Sequence, residues 1–194
     1  MRTEIIVRNI YTFAELSQEA KDKVCNNWEW DDNDSSMLTE LFEEDLNNHY
    51  MFKGAKVYWS LSSCQGDGVS FTGEWFNDGC IQLLEKAYNG NIPKNLKRII
   101  PWLVLEIRNI NNRYCHKRSV TLDVDVDNYY LPNYPRIEKV IDDIRKTVEA
   151  YRLQVCDELE DFGYKEIDYH QTEEYIKEMC ESNNYEFLED GTML

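Results

Sequence analysis

The sequence predicts an α+β fold: an antiparallel sheet with helices packed on one face, including one long helix in the C-terminal half. Three observations carry this expectation. KVYWSLSS (56–63) and VSFTGEW (69–75) flank Cys64-Gln65-Gly66-Asp67-Gly68, the pattern of a β-hairpin. SVTLDVDVD (119–127) alternates, with Val120, Leu122, Val124 and Val126 to one side and Thr121, Asp123, Asp125 and Asp127 to the other. Residues 136–162 set Ile137, Val140, Ile141, Ile144, Val148, Tyr151, Val155, Leu159 and Phe162 along one helical stripe. Hairpins imply antiparallel pairing, and the helices supply the second layer.

Taken in order, TEIIVRNIY (3–11) is β-branched and partly alternating, which suggests a strand. Thr12 and Glu15 have capping-box spacing, and Ser17 caps a helix written SQEAKDKVCNNWEW, with Ala20, Val24 and Trp28 four apart. An acidic loop, DDND, precedes a second helix at 36–49 with Met37, Leu38, Leu41, Phe42 and Leu46 on its buried stripe. Gly54 ends that region and the hairpin follows. CIQLLEKAY predicts a helix over about 80–88, closed by Asn89-Gly90. KNLKRIIPWLVLEIRNI has helical periodicity that Pro101 should kink or split. Pro132 and Pro135 mark a turn, Gly163 is a candidate C′ residue for the long helix, and a short helix is expected at 172–182. In the closing YEFLEDGTML, Asp190-Gly191 suits a hairpin turn.

The length suits one domain over 1–194, and an apolar share of 42 % is enough for a core and too much for a disordered chain. No apolar run approaches the ~18 residues of a membrane span, and the N-terminus lacks the apolar stretch of a signal peptide. Cys25, Cys64, Cys80, Cys115, Cys156 and Cys180 are widely spaced, with no C-x-x-C. Read with the missing signal peptide, they are expected to be reduced thiols in a cytoplasm rather than disulfides or a zinc site.

Charge bears most on function. Thirty-seven acidic and 21 basic residues give −16, concentrated at the ends. Residues 1–50 hold 12 acidic and 4 basic residues, residues 155–194 hold 13 and 2, and the middle holds 12 and 15. An acidic surface repels nucleic acid and attracts proteins that bind it. The contributors expected to meet such a partner are Asp31, Asp32, Asp34, Glu43, Glu44, Asp45, Asp157, Glu158, Glu160 and Asp161.

Three other segments have chemical potential, each beside an ordinary structural reading. Ser63, Gln65, Gly66, Asp67 and Gly68 offer backbone N–H groups and polar side chains to a phosphate or nucleotide, or simply form a tight turn that Asp67 stabilises. Arg113, Tyr114, His116 and Arg118, with Arg108 and Lys117, suit a phosphorylated ligand, or form a solvated basic loop. Asp123, Asp125 and Asp127, with neighbours about 6.7 Å apart, suit a metal or imitate a row of phosphates, or are a solvated sheet face. His49 and His170 have no evident partner. No catalytic constellation, cofactor motif or metal spacing appears.

IYTFAELSQEAKDKV, SLSSCQGDGVSFTG, RYCHKRSVTLDVDVD and YEFLEDGTML together resemble a family of small bacteriophage proteins. Its members open on YTF-x-EL-x-x-EAK, continue with S-x-x-QGDG-x-SF-x-G and R-Y-x-H-x-x-S, and end on YEF-x-EDG. Members are often labelled hypothetical or antitoxin. The resemblance spans almost the whole chain. It implies a phage or prophage accessory protein in the host cytoplasm and supplies no catalytic residues. With the charge, it gives the expected function: binding and inhibition of a host protein with a basic surface, as an anti-defence inhibitor of the anti-CRISPR type does to a nucleic-acid-binding effector. An antitoxin-like binder of a basic toxin, and a nucleotide-binding protein or enzyme using the QGDG hairpin and the RYCHKR segment, are the alternatives. Direct nucleic-acid or membrane binding is not expected.

Overall fold

In the computed structural model, which describes residues 1–2, 7–111, 113–126 and 137–194 (of Asp32, the backbone alone), the fold is α+β. The elements are α1 (Gln18–Asn26), α2 (Asp32–Asn48), β1 (Lys56–Ser60), β2 (Gly68–Phe76), α3 (Asp78–Ala87), β3 (Leu103–Asn109), β4 (Val120–Val126), α4 (Ile137–His170) and α5 (Glu173–Ser182). No helix is long and apolar enough to cross a membrane among the described residues. All six cysteines are free. The chain divides into two units, residues 1–35 with 164–194, and residues 36–163; the division falls inside α2 and inside α4.

The second unit holds the sheet. Its order is β1-β2-β3-β4, antiparallel throughout. Val57 faces Phe71, Trp75 faces Leu105, and Leu105 faces Val124, so one face is apolar across all four strands. Alternation puts the other residues of β2 to β4 on the opposite face. Helices cover the apolar side: the Phe42 ring on α2 meets Trp59 edge-on at 6.1 Å, and Tyr151 on α4 stacks on Phe52, which touches Phe71 and Trp75. The indole N–H groups on this side are satisfied, Trp59 donating to Thr39 Oγ1 and Trp75 to the Lys53 carbonyl, both at 2.9 Å. Thr121, Asp123 and Asp125 lie on the opposite face, as their spacing predicts; Asp127 and the Pro132–Pro135 turn are outside the described residues.

In the first unit, α1 and α5 share a core of Phe13, Leu16, Ala20, Val24, Ile176, Cys180 and Phe187. The Glu15 carboxylate accepts from the Thr12 N–H, but the turn it closes is a single 3-10 turn, Phe13–Glu15. Ser17 then caps α1, its hydroxyl accepting from the Ala20 N–H, and α1 stops at Asn26, short of Trp30. The expected terminal turn forms: Leu188 N–H donates to the Thr192 carbonyl and Gly191 N–H to the Leu188 carbonyl, while Phe187 bridges Tyr11 and Met193. Of the strand expected at 3–11, residues 3–6 are outside the described residues, 7–10 form none, and Tyr11 keeps only that bridge.

Three expectations are corrected. Residues 94–110 are not a kinked helix but two 3-10 turns, Leu96–Arg98 and Ile100–Trp102, followed by β3. Pro101 has no N–H for an α-helical ladder, and beyond it Leu103, Leu105 and Ile107 alternate with Val104, Glu106 and Arg108, a period the sheet satisfies. The long helix does not end at Gly163 but runs to His170. At Gly163 the side chains of its neighbours press against α4: a Cβ there would lie 2.4 Å from Leu61 Cδ1 and 2.7 Å from Phe42 Cζ. The acidic DDND stretch is not a loop; α2 begins within it, at Asp32.

Candidate functional site

The hairpin loop and the 113–119 segment come together in the second unit, and the glycines explain how. Gly66 has φ +94°, and an added Cβ would lie 2.4 Å from Cδ1 of the Tyr114 ring. An added Cβ at Gly68 would lie 3.0 Å from Glu160 Oε2 and 3.4 Å from the His116 Cα. Only a missing side chain lets the two segments approach this closely. Asp67 organises the turn. Its carboxylate accepts from Ser60 Oγ at 2.6 Å, the Cys64 N–H at 2.6 Å, the Ser62 N–H at 2.8 Å and Ser62 Oγ at 3.2 Å. The Ser60 hydroxyl first, then the Cys64 N–H, hold its pKa below the usual carboxylate range. Ser63, at φ +58°, and Gln65 are exposed at the tip.

Across from the hairpin, the Arg113 guanidinium sits over the Tyr114 ring, 5.5 Å from its centroid, and Tyr114 is 40 % exposed. His116 Nδ1 accepts from the Arg118 N–H at 3.1 Å, so in the neutral ring Nε2 carries the proton. Lys117 pairs with Asp157 on α4. Beneath the segment lies Arg152, 1 % exposed. Its Nε and Nη2 donate to the two Glu149 oxygens at 2.8 and 2.6 Å, and its Nη1 donates to the Lys117 carbonyl at 2.9 Å. One buried guanidinium therefore ties α4 to the 113–119 segment. The neighbouring Cys156 thiol is pushed up to about 12 by burial.

The acidic residues fall into both units and into different roles. In the first, Asp31 and Asp34 form a reciprocal cap: Asp31 Oδ1 accepts from the Asn33 and Asp34 N–H groups at 2.7 and 3.0 Å, and Asp34 Oδ2 accepts from the Asp31 N–H at 3.1 Å. The Asp34 N–H is the main cause of the lowered Asp31 pKa. Asp34 also approaches His170, which is 3 % exposed and stacked on Tyr175 with ring centroids 3.9 Å apart. Asp34 Oδ1 is 3.3 Å from His170 Nδ1, within ion-pair distance, yet the angle makes no hydrogen bond and Nδ1 has no other partner among the described residues. Burial, with Asp34 next in effect, pushes the Tyr175 phenol up to about 12.

In the second unit, residues 36–48 of α2 and 153–163 of α4 carry eight carboxylates and no Lys or Arg. Asp45 and Glu158 converge on Tyr50, whose hydroxyl donates to Glu158 Oε2 at 2.7 Å. Burial raises the Tyr50 pKa, and the Glu158 and Asp45 charges raise it further. Glu158 also accepts from Gln154. Glu160 is half-buried beside Gly68. Glu43, Glu44 and Asp161 have no ion-pair partner among the described residues. The Asp32 side chain is outside the described residues.

Sequence reasoning missed Arg152 and the surroundings of His170. Arg152 had a signal: it lies four residues after Val148 and three before Val155, inside the apolar stripe of α4. His170 had none, because Trp30, Asp34 and Tyr175 are brought to it only by the fold.

The chain belongs to the DUF8835 family, described as a domain of unknown function, whose profile matches residues 28–182. Neither the curated proteins nor the solved structures contain a match.

Proposed function

We propose that this DUF8835 member is a phage-encoded acidic accessory protein that binds and inhibits a host protein. The reading is specific: it occupies a basic nucleic-acid-binding surface of a defence effector, in the anti-CRISPR manner, within the host cytoplasm. One observation carries it. The α2 and α4 segments of the second unit present eight carboxylates with no basic residue among them, and Lys117 reaches only one, Asp157. A surface so uncompensated steers cationic partners and competes with phosphates for the same Lys and Arg side chains.

The test is association kinetics against an effector captured from infected host lysate, at low and physiological salt. Exposed charges are screened beyond about 8 Å at physiological salt, so association should slow as salt rises. Glu43→Gln, Glu44→Gln and Asp45→Asn together should slow it further without changing the fold. Salt-insensitive association, unchanged by these substitutions, would falsify the mechanism.

A second reading has its own observation, the contact of Gly66 with Tyr114 and of Gly68 with His116, which joins the QGDG and RYCHKR segments. It makes Arg113, His116 and Arg118 the holders of a phosphate or nucleotide. Its signature is a rise in melting temperature with inorganic phosphate or a nucleotide, lost in Arg113→Ala. No rise across a nucleotide panel removes it.

A further inference from the structure

We infer that the exposed part of the sheet face that carries Glu74, Phe76, Glu106 and Asp125 is the docking surface for a basic amphipathic helix of the partner. This rests on the acidic-binder reading and places the contact that reading leaves open.

The face is built in rows that run across the strands. Glu74 is paired with Glu106, and Glu106 with Asp123, so three carboxylates stand side by side on adjacent strands. Two residues further along, Phe76 is paired with Val104 and Val104 with Asp125. An acidic row thus lies about 6.7 Å from a row whose members on β2 and β3 are apolar and whose member on β4 is Asp125. Phe76 is 56 % exposed, and Glu74, Glu106 and Asp125 are exposed with it. Among the described residues, Arg108 is the cation that reaches the acidic row, bonding Asp123 at 2.5 Å. Like charges directly opposite on neighbouring strands destabilise a sheet. Glu74 and Glu106, opposite each other with no ion-pair partner among the described residues, therefore sustain a repulsion that a cationic occupant relieves.

The spacing selects the occupant. Carboxylates on adjacent strands repeat at about 5 Å, and side chains at i and i+4 of a helix at about 6 Å. A helix lying across the strands sets successive Lys or Arg over Glu74 and Glu106, and its apolar stripe over Phe76 and Val104. A second copy of this chain brings its own carboxylates to the same row and is repelled, as is nucleic acid. The carboxylates of α2 and α4 then act at long range on association, while the sheet face holds the bound partner and governs dissociation.

The experiment uses the whole chain and a synthetic Leu/Lys peptide of about five helical turns, with a scrambled peptide of equal composition as control. Binding kinetics and amide chemical shifts are read for wild type and variants. Glu74→Gln and Glu106→Gln together should weaken binding about fivefold, the loss of two exposed ion pairs, through faster dissociation. Glu106→Gln alone should do so in part while raising the melting temperature, which a merely structural carboxylate would not. Phe76→Ser should speed dissociation of the amphipathic peptide and leave the scrambled one unchanged. Glu44→Gln with Asp161→Asn should slow association and leave dissociation alone. Peptide shifts confined to α2 and α4, with unchanged dissociation in the sheet variants, would overturn the placement and leave the acidic-binder reading standing. Binding unchanged in both sets of variants would overturn both. Self-association abolished by Phe76→Ser, or binding of duplex DNA by wild type, would also overturn the proposal.

Discussion

Removing the more exposed partner of the buried Arg152–Glu149 pair should do more damage than removing the buried one. Arg152 is 1 % exposed, whereas the Glu149 side chain is 36 % exposed. In Arg152→Met the apolar length is kept, and water reaches the freed Glu149 carboxylate. The uncompensated loss is the Lys117 carbonyl, which had accepted from Nη1 at 2.9 Å. Leaving one such acceptor unsatisfied costs about 1–3 kcal/mol, and removing a buried guanidinium offsets part of it, so a net loss of about 1–2 kcal/mol is expected. In Glu149→Ala the guanidinium stays buried without its counter-charge, at a cost of about 3 kcal/mol or more. The double variant should sit close to Arg152→Met, because once the arginine is gone the carboxylate has nothing to neutralise. Urea unfolding followed by circular dichroism gives the three values, with an unchanged slope confirming a common unfolded state. Hydrogen exchange at 113–119 should accelerate in Arg152→Met, since that segment loses its buried tie to α4 and keeps the exposed Lys117–Asp157 pair. If Arg152→Met costs more than Glu149→Ala, the pair is held by packing of the arginine rather than by its charge, and the account given of α4 and the basic segment is wrong.

Gly163→Ala should destabilise the protein by about 1–2 kcal/mol in urea unfolding, although alanine is the better helix former by about 1 kcal/mol, because the new methyl meets Leu61 and Phe42; a stabilised variant would show that α4 can shift away. In the folded protein at pH 8, Cys64 should react first with a disulfide reagent, while Cys80 and Cys156, pushed up to about 12, and Cys180, up to about 11, stay silent until unfolding releases six equivalents; early modification of Cys156 in folded protein would contradict its burial. Asp190 is held down to about 2, chiefly by its hydrogen bond from Lys23. A depressed folded pKa stabilises above the unfolded value near 4 and loses that contribution as pH falls toward 2. Wild type should therefore lose more stability than Asp190→Asn between pH 5 and pH 2 in thermal melts, and parallel acid titrations of the two would remove the Lys23–Asp190 bond from the account.

The parts of the fold that are legible in the sequence are those decided by local period. Val120 to Val126 alternate and form β4; the stripe from Ile137 to Phe162 forms most of α4; Asp190-Gly191 turns the chain. Where two local signals compete, tertiary partners decide. Residues 103–109 satisfy both a helical and an alternating pattern, and the sheet chooses, because β2 and β4 offer Trp75 and Val124 to Leu105 on one face. Gly163 reads as a stop until Phe42 and Leu61 are known to press against it. The joining of the QGDG and RYCHKR segments is not legible at all, since the contact of Gly66 with Tyr114 spans 48 positions.

The carboxylates make the same point about function. In the sequence, Asp31, Asp34, Asp67, Glu43, Glu44 and Asp161 are equivalent units of charge. In the fold, Asp31 and Asp34 cap α2, and Asp67 is saturated by hydroxyl and N–H donors of its own turn. A carboxylate already holding several donors has little capacity left for an incoming cation. Glu43, Glu44 and Asp161 have no ion pair among the described residues, and Glu106 faces two other carboxylates across the strands. A cationic partner gains most where the protein has not itself satisfied the charge. The surface to mutate first is therefore set by the hydrogen bonds a carboxylate lacks rather than by how many acidic residues adjoin it in the chain, which ranks Glu106 and Glu44 ahead of Asp31 and Asp34.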